Sequence, residues 1–212
     1  MPTFPAPPAD APTPDRRRVV LRGGAALGGL ALAPALAAPL TGPASGQRAL
    51  PPVPYVPTPQ DVVDRMLAMA RVGPRDNVYD LGCGDGRIVI TAARRHGARG
   101  VGIDLDPWRI REARERARRA GVSERVRFER EDLFQADFSA ASVVMIYLLF
   151  EVNLKLMPRL WRQLAAGTRV VSHDFHMGAQ WPPEQIVRVR DHTLYGWTIT
   201  PELKAQVRAG ST

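Results

Sequence analysis

The chain has one cysteine, Cys83, in 212 residues. No intrachain disulfide can form, so export, if it occurs, would lack disulfide stapling. No internal repeat is present, and no catalytic triad is evident. The longest apolar stretch, Gly23 to about Leu40, is broken by glycines and Pro34. It is short for a full membrane span of ~20 residues. Disorder is excluded for the chain as a whole, because hydrophobic residues make up 45% of it.

The formal net charge is +8. A basic balance can signal nucleic acid or an anionic membrane surface. Here the arginines alternate with glutamates along helices, as in Arg111-Glu112-Ala113-Arg114-Glu115-Arg116. That pattern reads as a solvated helix face, and no nucleic-acid partner is expected.

The 20 prolines are unevenly placed, and many precede Thr58. Residues 1–15 are Pro- and Ala-rich without periodicity and are expected to be disordered. Arg16-Arg17-Arg18-Val19-Val20-Leu21-Arg22 then leads into the uncharged run, with small residues at Ala35-Leu36-Ala37. These are the three parts of a signal peptide, and the paired arginines resemble a twin-arginine signal. Cleavage after Ala37 fits the small-x-small rule. An uncleaved anchor, giving membrane association, and a start codon placed too early are the alternatives. Residues 41–54 read as a linker, so residues 1–50 are set apart from a folded domain at 51–208.

Within the domain, helical and extended patterns alternate. Val62, Val63, Met66, Leu67 and Ala70 recur at helical spacing, which predicts a helix over 59–71. A strand at 77–81 runs into glycines, and a helix from Arg87 to His96 closes at Gly97. A strand at 99–105 precedes a helix opened by Pro107 and stopped by Gly121. Further strands are expected at 125–130, at 143–149 as a central strand buried on both faces, and at 168–172. Between the last two, a helix carries Leu156, Leu160, Trp161 and Leu164, with Pro158 expected near its start. Residues 187–189 and 194–199 read as a final antiparallel pair. The pattern predicts a doubly wound, mostly parallel α/β sheet with helices on both faces. Such sheets bind ligands beyond the carboxyl ends of their strands.

The strongest local signal is Asp80-Leu81-Gly82-Cys83-Gly84-Asp85-Gly86-Arg87, placed between strand and helix. The glycines Gly82, Gly84 and Gly86 permit unusual backbone angles and close approach of a ligand. Dinucleotide enzymes need Gly-x-Gly-x-x-Gly to seat a pyrophosphate. Here Arg87 stands where the last of those glycines would fall. Asp80 and Asp85 disfavour a pyrophosphate and favour a ligand bearing an ammonium group, such as the methionine part of S-adenosylmethionine. Asp104 ends the next strand and can accept both hydroxyls of a ribose. Asp132 and Leu133 follow the third strand, where they can accept from an adenine amino group and pack on its ring.

The loop, Asp104 and Asp132 resemble the class I S-adenosylmethionine-dependent methyltransferases. The resemblance covers roughly residues 53–182. Tyr55-Val56-Pro57-Thr58-Pro59, Asp80 to Ile90, Val143 to Phe150 and Val170-Val171-Ser172-His173-Asp174-Phe175 are similar to a bacterial branch near the ATP synthase c-subunit lysine N-methyltransferase family. The resemblance implies a seven-stranded Rossmann-like fold, S-adenosyl-L-methionine as donor and protein lysine side chains as acceptors. The signal-like segment is not required by that family, and the donor is made in the cytosol, so the site of action is left open.

The acceptor side is less determined. The fourth strand ends at Met145-Ile146-Tyr147-Leu148-Leu149-Phe150, where acceptors enter in the superfamily. An Asn/Asp-Pro-Pro-Tyr motif is absent there, which argues against a DNA adenine or glutamine acceptor. Tyr147 is placed as acceptor-site lining, with a packed core tyrosine as the other reading. Tyr55 and Thr58 are placed as a lid over the cofactor, or else as part of a Pro-rich linker. His173-Asp174-Phe175-His176 invites a metal reading. No further cysteine or histidine cluster supports it, so no metal is expected and His173 is assigned to the acceptor site. His96 and His192 carry no readable signal. A small-molecule or lipid methyltransferase shares every cofactor residue, and a nicotinamide-binding oxidoreductase is the more distant alternative.

Overall fold

The structure is a computed structural model that describes residues 55–210. The expected signal-like segment, its anchor alternative and the linker lie outside the described residues. Among the described residues no helix is long and apolar enough to cross a membrane.

The first helix, α1 (Gln60–Met69), follows Pro59 and buries Val62, Val63, Met66 and Leu67 along one side. Then come β1 (Asn77–Leu81), α2 (Arg87–His96) and β2 (Arg99–Asp104). Helix α3 (Pro107–Arg119) opens on Asp106, whose carboxylate accepts from the Trp108 N–H. This satisfies one of the free N–H groups of the first turn. Strands β3 (Val126–Arg130) and β4 (Val143–Ile146) precede α4 (Phe150–Gln163) and β5 (Arg169–His173). The chain ends with β6 (Gln185–Val189), β7 (His192–Thr198) and α5 (Pro201–Arg208).

The seven strands form one sheet in the order β3-β2-β1-β4-β5-β7-β6. The β1–β2, β1–β4, β2–β3 and β4–β5 pairs are parallel, and β7 is antiparallel to both of its neighbours. The doubly wound, mostly parallel α/β fold is therefore present. The winding reverses between β1 and β4, which opens a crevice at their carboxyl ends.

Alternation along the strands divides the core between two faces. Val78, Val143, Met145 and Val171 join the apolar cluster of α1 and α2. Tyr79, Leu81, Val144, Ile146 and Val170 join the cluster of α4, which also holds Trp161, Trp181 and Trp197. At the amino end of β1, Asp76 gathers a polar knot. Its carboxylate accepts from the Ser142 hydroxyl at 2.7 Å and the Gly73 N–H at 2.8 Å, and it pairs with Arg169. Arg169 also donates to the Ala70 carbonyl at 2.7 Å, tying α1 to β5.

Three expectations need correction. Strand β4 stops at Ile146, three residues short of Leu149, because Tyr147–Leu149 leave the sheet to form the wall of the crevice. Pro158 lies well inside α4 and not near its start. The helix is long enough, and its Leu156, Leu160 and Trp161 face buried enough, to carry the break. Helix α5 was not anticipated, although Thr200 caps it by accepting from the Leu203 N–H and Pro201 opens it.

Candidate active site

The crevice is a cavity of about 810 Å³ lined by residues of the glycine loop, the end of β2, the segment after β4 and the segment before α1. Its size suits a cofactor. Gly82 N–H and Cys83 N–H both donate to the Ile103 carbonyl at 2.9 Å, which fastens the loop to β2. Gly82, Gly84 and Gly86 all have positive φ, at 86°, 50° and 76°. A Cβ at position 84 would meet the Tyr55 ring, and one at position 86 would sit 2.6 Å from Phe128. The loop is thus glycine-rich for conformation and for space.

Asp80, at the end of β1, is 2% exposed and lines the cavity. Among the described residues its carboxylate accepts no hydrogen bond. Burial first, then the charges of Asp104 and Asp85, push its carboxyl well above the usual carboxylate range. A cation in the cavity would reverse that push. Asp104 stands oriented at the tip of β2, accepting from Gly84 N–H and Asp106 N–H at 2.9 Å each. Asp132 accepts from Phe134 N–H at 2.9 Å, and Leu133 beside it packs against the α4 side of the core.

Asp85 differs from the expected ammonium acceptor. Arg87 donates to it at 2.6 Å and Arg116 pairs with it as well. Burial opposes its ionisation, but these guanidinium contacts hold its carboxyl below the usual range. Its charge is spent within the protein, so the open acid of the loop is Asp80. Arg87 also donates to the Thr58 carbonyl at 2.8 Å, tying the lid segment to the loop.

Tyr55 and Thr58, expected as a lid, both line the cavity. Tyr55 lies beside Gly84 with the Arg109 guanidinium 3.7 Å above its ring. Thr58 is buried, and its Oγ1 lies 3.2 Å from His173 Nδ1. The Tyr147 ring is 3.9 Å from the His173 ring and 6.5 Å from that of Phe175. Tyr147 and Phe175 line the cavity, whereas His173 is fully buried behind Tyr147. Burial lowers the His173 pKa to about 4, with Asp174 opposing and His192 assisting. It is neutral at physiological pH and touches no open part of the cavity.

The four-residue run His173–His176 does not converge. His176 turns away, with its ring 5.0 Å from Phe150 and 5.7 Å from Tyr195. His192, which carried no signal, takes its place. Its Nδ1 lies 2.9 Å from His173 Nε2 and 3.0 Å from Asp174 Oδ2.

Comparison with known proteins identifies the family. Residues 80–185 match the ANTKMT methyltransferase domain. A protein-lysine N-methyltransferase of Saccharolobus islandicus is 46% identical over 155 residues, covering 71% of this chain and 96% of the relative. The ATP synthase c-subunit lysine N-methyltransferase of Homo sapiens is 34% identical over 163 residues, covering 77% of this chain and 67% of the relative. A Salinibacter ruber RNA methyltransferase, solved with S-adenosyl-L-homocysteine, superposes with a TM-score of 0.68. It is 57% identical and covers 69% of this chain and 95% of that one.

The chain belongs to the ANTKMT methyltransferase domain family.

It is an S-adenosylmethionine-dependent methyltransferase, and the crevice residues fit the donor. A buried carboxylate without a partner, an oriented carboxylate at the tip of β2 and a glycine loop with no room for a Cβ are what a cationic nucleoside requires. We propose that Asp80 would meet the ammonium end, Asp104 the ribose and Asp132 with Leu133 the adenine end. Sequence reasoning missed Arg109, Phe175 and His192. Only Phe175 lay within a recognised segment. Arg109 is one of many helix-face arginines, and His192 reaches the site only through the pairing of β5 with β7.

Proposed function

We propose that this methyltransferase modifies the ε-amino group of lysine side chains in a protein acceptor. The observation that carries the reading is the apolar, aromatic wall of Tyr147, Leu148, Leu149 and Phe175 beside the donor-binding acids. The lysine acceptors of the archaeal and human relatives support the same reading.

S-adenosylmethionine supplies a methyl group already activated by the sulfonium charge. The chain's own residues have two tasks, alignment and desolvation. Asp80, Asp104 and the glycine loop fix one reactant, and the wall at Tyr147 and Phe175 bounds the approach of the other. Alignment of this kind accounts for a large part of catalysis in displacement reactions. An acceptor amine must be neutral to attack. An apolar wall disfavours the ammonium form and releases its proton to solvent without a dedicated base. With the donor bound, the neutral amine nitrogen would take the methyl group while sulfur keeps the electrons of the broken carbon–sulfur bond, and the product would leave as a methylammonium.

A second reading is an RNA acceptor, favoured by the name of the Salinibacter ruber enzyme. Incubation of the chain with labelled donor and cell extract separates the two. Label that is protease-sensitive and recovered as methyllysine after hydrolysis is the expected outcome. Label removed only by ribonuclease, or extracted only into lipid, would overturn the lysine assignment.

A further inference from the structure

The end of β5 and the start of β7 bring together three atoms that have no task in the donor site. His173 Nε2, His192 Nδ1 and Asp174 Oδ2 form a triangle with sides of 2.9, 3.0 and 3.3 Å. We infer that this triangle is a divalent transition-metal site, suited to zinc and lying directly behind Tyr147.

Two sides, at 2.9 and 3.0 Å, are a few tenths of an ångström shorter than the roughly 3.3 Å ligand spacing of a tetrahedral zinc site, so a small side-chain adjustment completes the geometry. Zinc bonds to histidine nitrogen and carboxylate oxygen at about 2.0–2.1 Å. An ion about 2.05 Å from all three atoms would stand roughly 1 Å off their plane, leaving a fourth position free. Two of the three side chains are held by contacts outside the triangle. The far nitrogen of His173, Nδ1, faces the Thr58 hydroxyl at 3.2 Å. An Nδ1–H donated to that hydroxyl leaves Nε2 bare, the arrangement seen when an outer partner orients a metal-bound histidine. Asp174 adopts a left-handed φ of 59°. Its N–H donates to the Thr193 carbonyl at 2.7 Å, and its Oδ1 accepts from the Thr193 N–H at 2.8 Å. Oδ2 is left to face the two imidazoles.

In the tautomer with Nδ1–H of His173 donated to Thr58, the lone pairs of His173 Nε2 and Asp174 Oδ2 share the single N–H of His192 Nδ1. A metal ion that displaces that proton would bind all three atoms. Two imidazole nitrogens select zinc, nickel, cobalt or copper over magnesium and calcium, which demand oxygen. The ion would clamp β5 to β7 and fix the wall that carries Tyr147.

The test uses the tag-free full chain, stripped with chelator and dialysed against zinc sulfate. Elemental analysis is expected to find one zinc per chain. His192→Ala and Asp174→Asn should each reduce the bound metal at least tenfold, with circular dichroism confirming that they fold. His176→Ala should keep it, because that ring packs against Phe150 and Tyr195. Cobalt in place of zinc should give the visible absorption of a tetrahedral site, lost in the same two variants. Less than one tenth of an equivalent in the parent chain, or retention by His192→Ala, would overturn the inference.

Discussion

Asp80 carries the sharpest conflict between stability and function. Its carboxyl is raised well above the usual range by burial, then by Asp104 and Asp85. The folded chain therefore holds that proton more tightly than the unfolded chain does. Stability is gained as pH falls through the folded pKa, and above both pKa values the charge is a standing penalty. Asp80→Asn is expected to raise the unfolding temperature at neutral pH and to weaken donor binding in the same protein. A lower unfolding temperature would refute the assignment. Asp104 is different, since its two oxygens are already oriented by Gly84 N–H and Asp106 N–H. Asp104→Ala should weaken donor binding by about 1–3 kcal/mol, the cost of losing a charged acceptor. Titration calorimetry would show it, and an unchanged affinity would move the ribose elsewhere. Both acids were legible in the sequence because each closes a strand. Asp85 was legible as an acid but not as a neutralised one, because Arg116 lies a helix away.

At the scale of elements, the Asp76 knot joins the end of α1 to β1, β4 and β5 far from the chemistry. Burial opposes ionisation of Asp76, but the Ser142 hydroxyl, the Gly73 N–H and Arg169 hold its carboxyl below the usual range. A depressed carboxyl contributes stability above its unfolded pKa and loses it as pH falls through the folded value. Arg169→Ala should cost about 2 kcal/mol at neutral pH, less than a fully buried pair because Arg169 is partly exposed. The cost should shrink in acid, and urea titration at several pH values would measure it. Most elements could be read from periodicity, since α2 and β1 have the limits that their glycines and apolar spacing predicted. The departures have local causes. Tyr147–Leu149 are as apolar as β4 itself, so hydropathy alone could not find the point where the chain leaves the sheet. Pro158 imitates a helix start when read without its tertiary setting. Thr200-Pro201-Glu202 did carry the signals of a helix start, a capping hydroxyl followed by proline and an acid.

For the whole molecule, sheet order decides which residues meet. The cavity draws on the segment before α1, on β1 and β2, on the segment after β4 and on the turn after β5. Residues distant in sequence are adjacent here, which is why the donor half was legible and the His192 contact was not. Net charge is a weaker guide. Arg87 and Arg116 are committed to Asp85, and Arg118 and Arg119 to Glu115. Much of the excess of arginine is thus paired along helix faces, as the alternation with acids suggested.

The contact of Thr58 with His173 spans 115 positions of chain. Its formation requires closure of nearly the whole domain, a slow event relative to local helix formation. The lid's contact with His173 requires β5, whereas its contact with Arg87 does not. Stopped-flow refolding should therefore show helical signal first and donor binding only with the last resolved phase. Donor binding at the rate of the first phase would mean that the lid closes without β5. A chain in which β5 has not yet joined the sheet is expected to bind the donor more weakly, since one anchor of the lid is then missing.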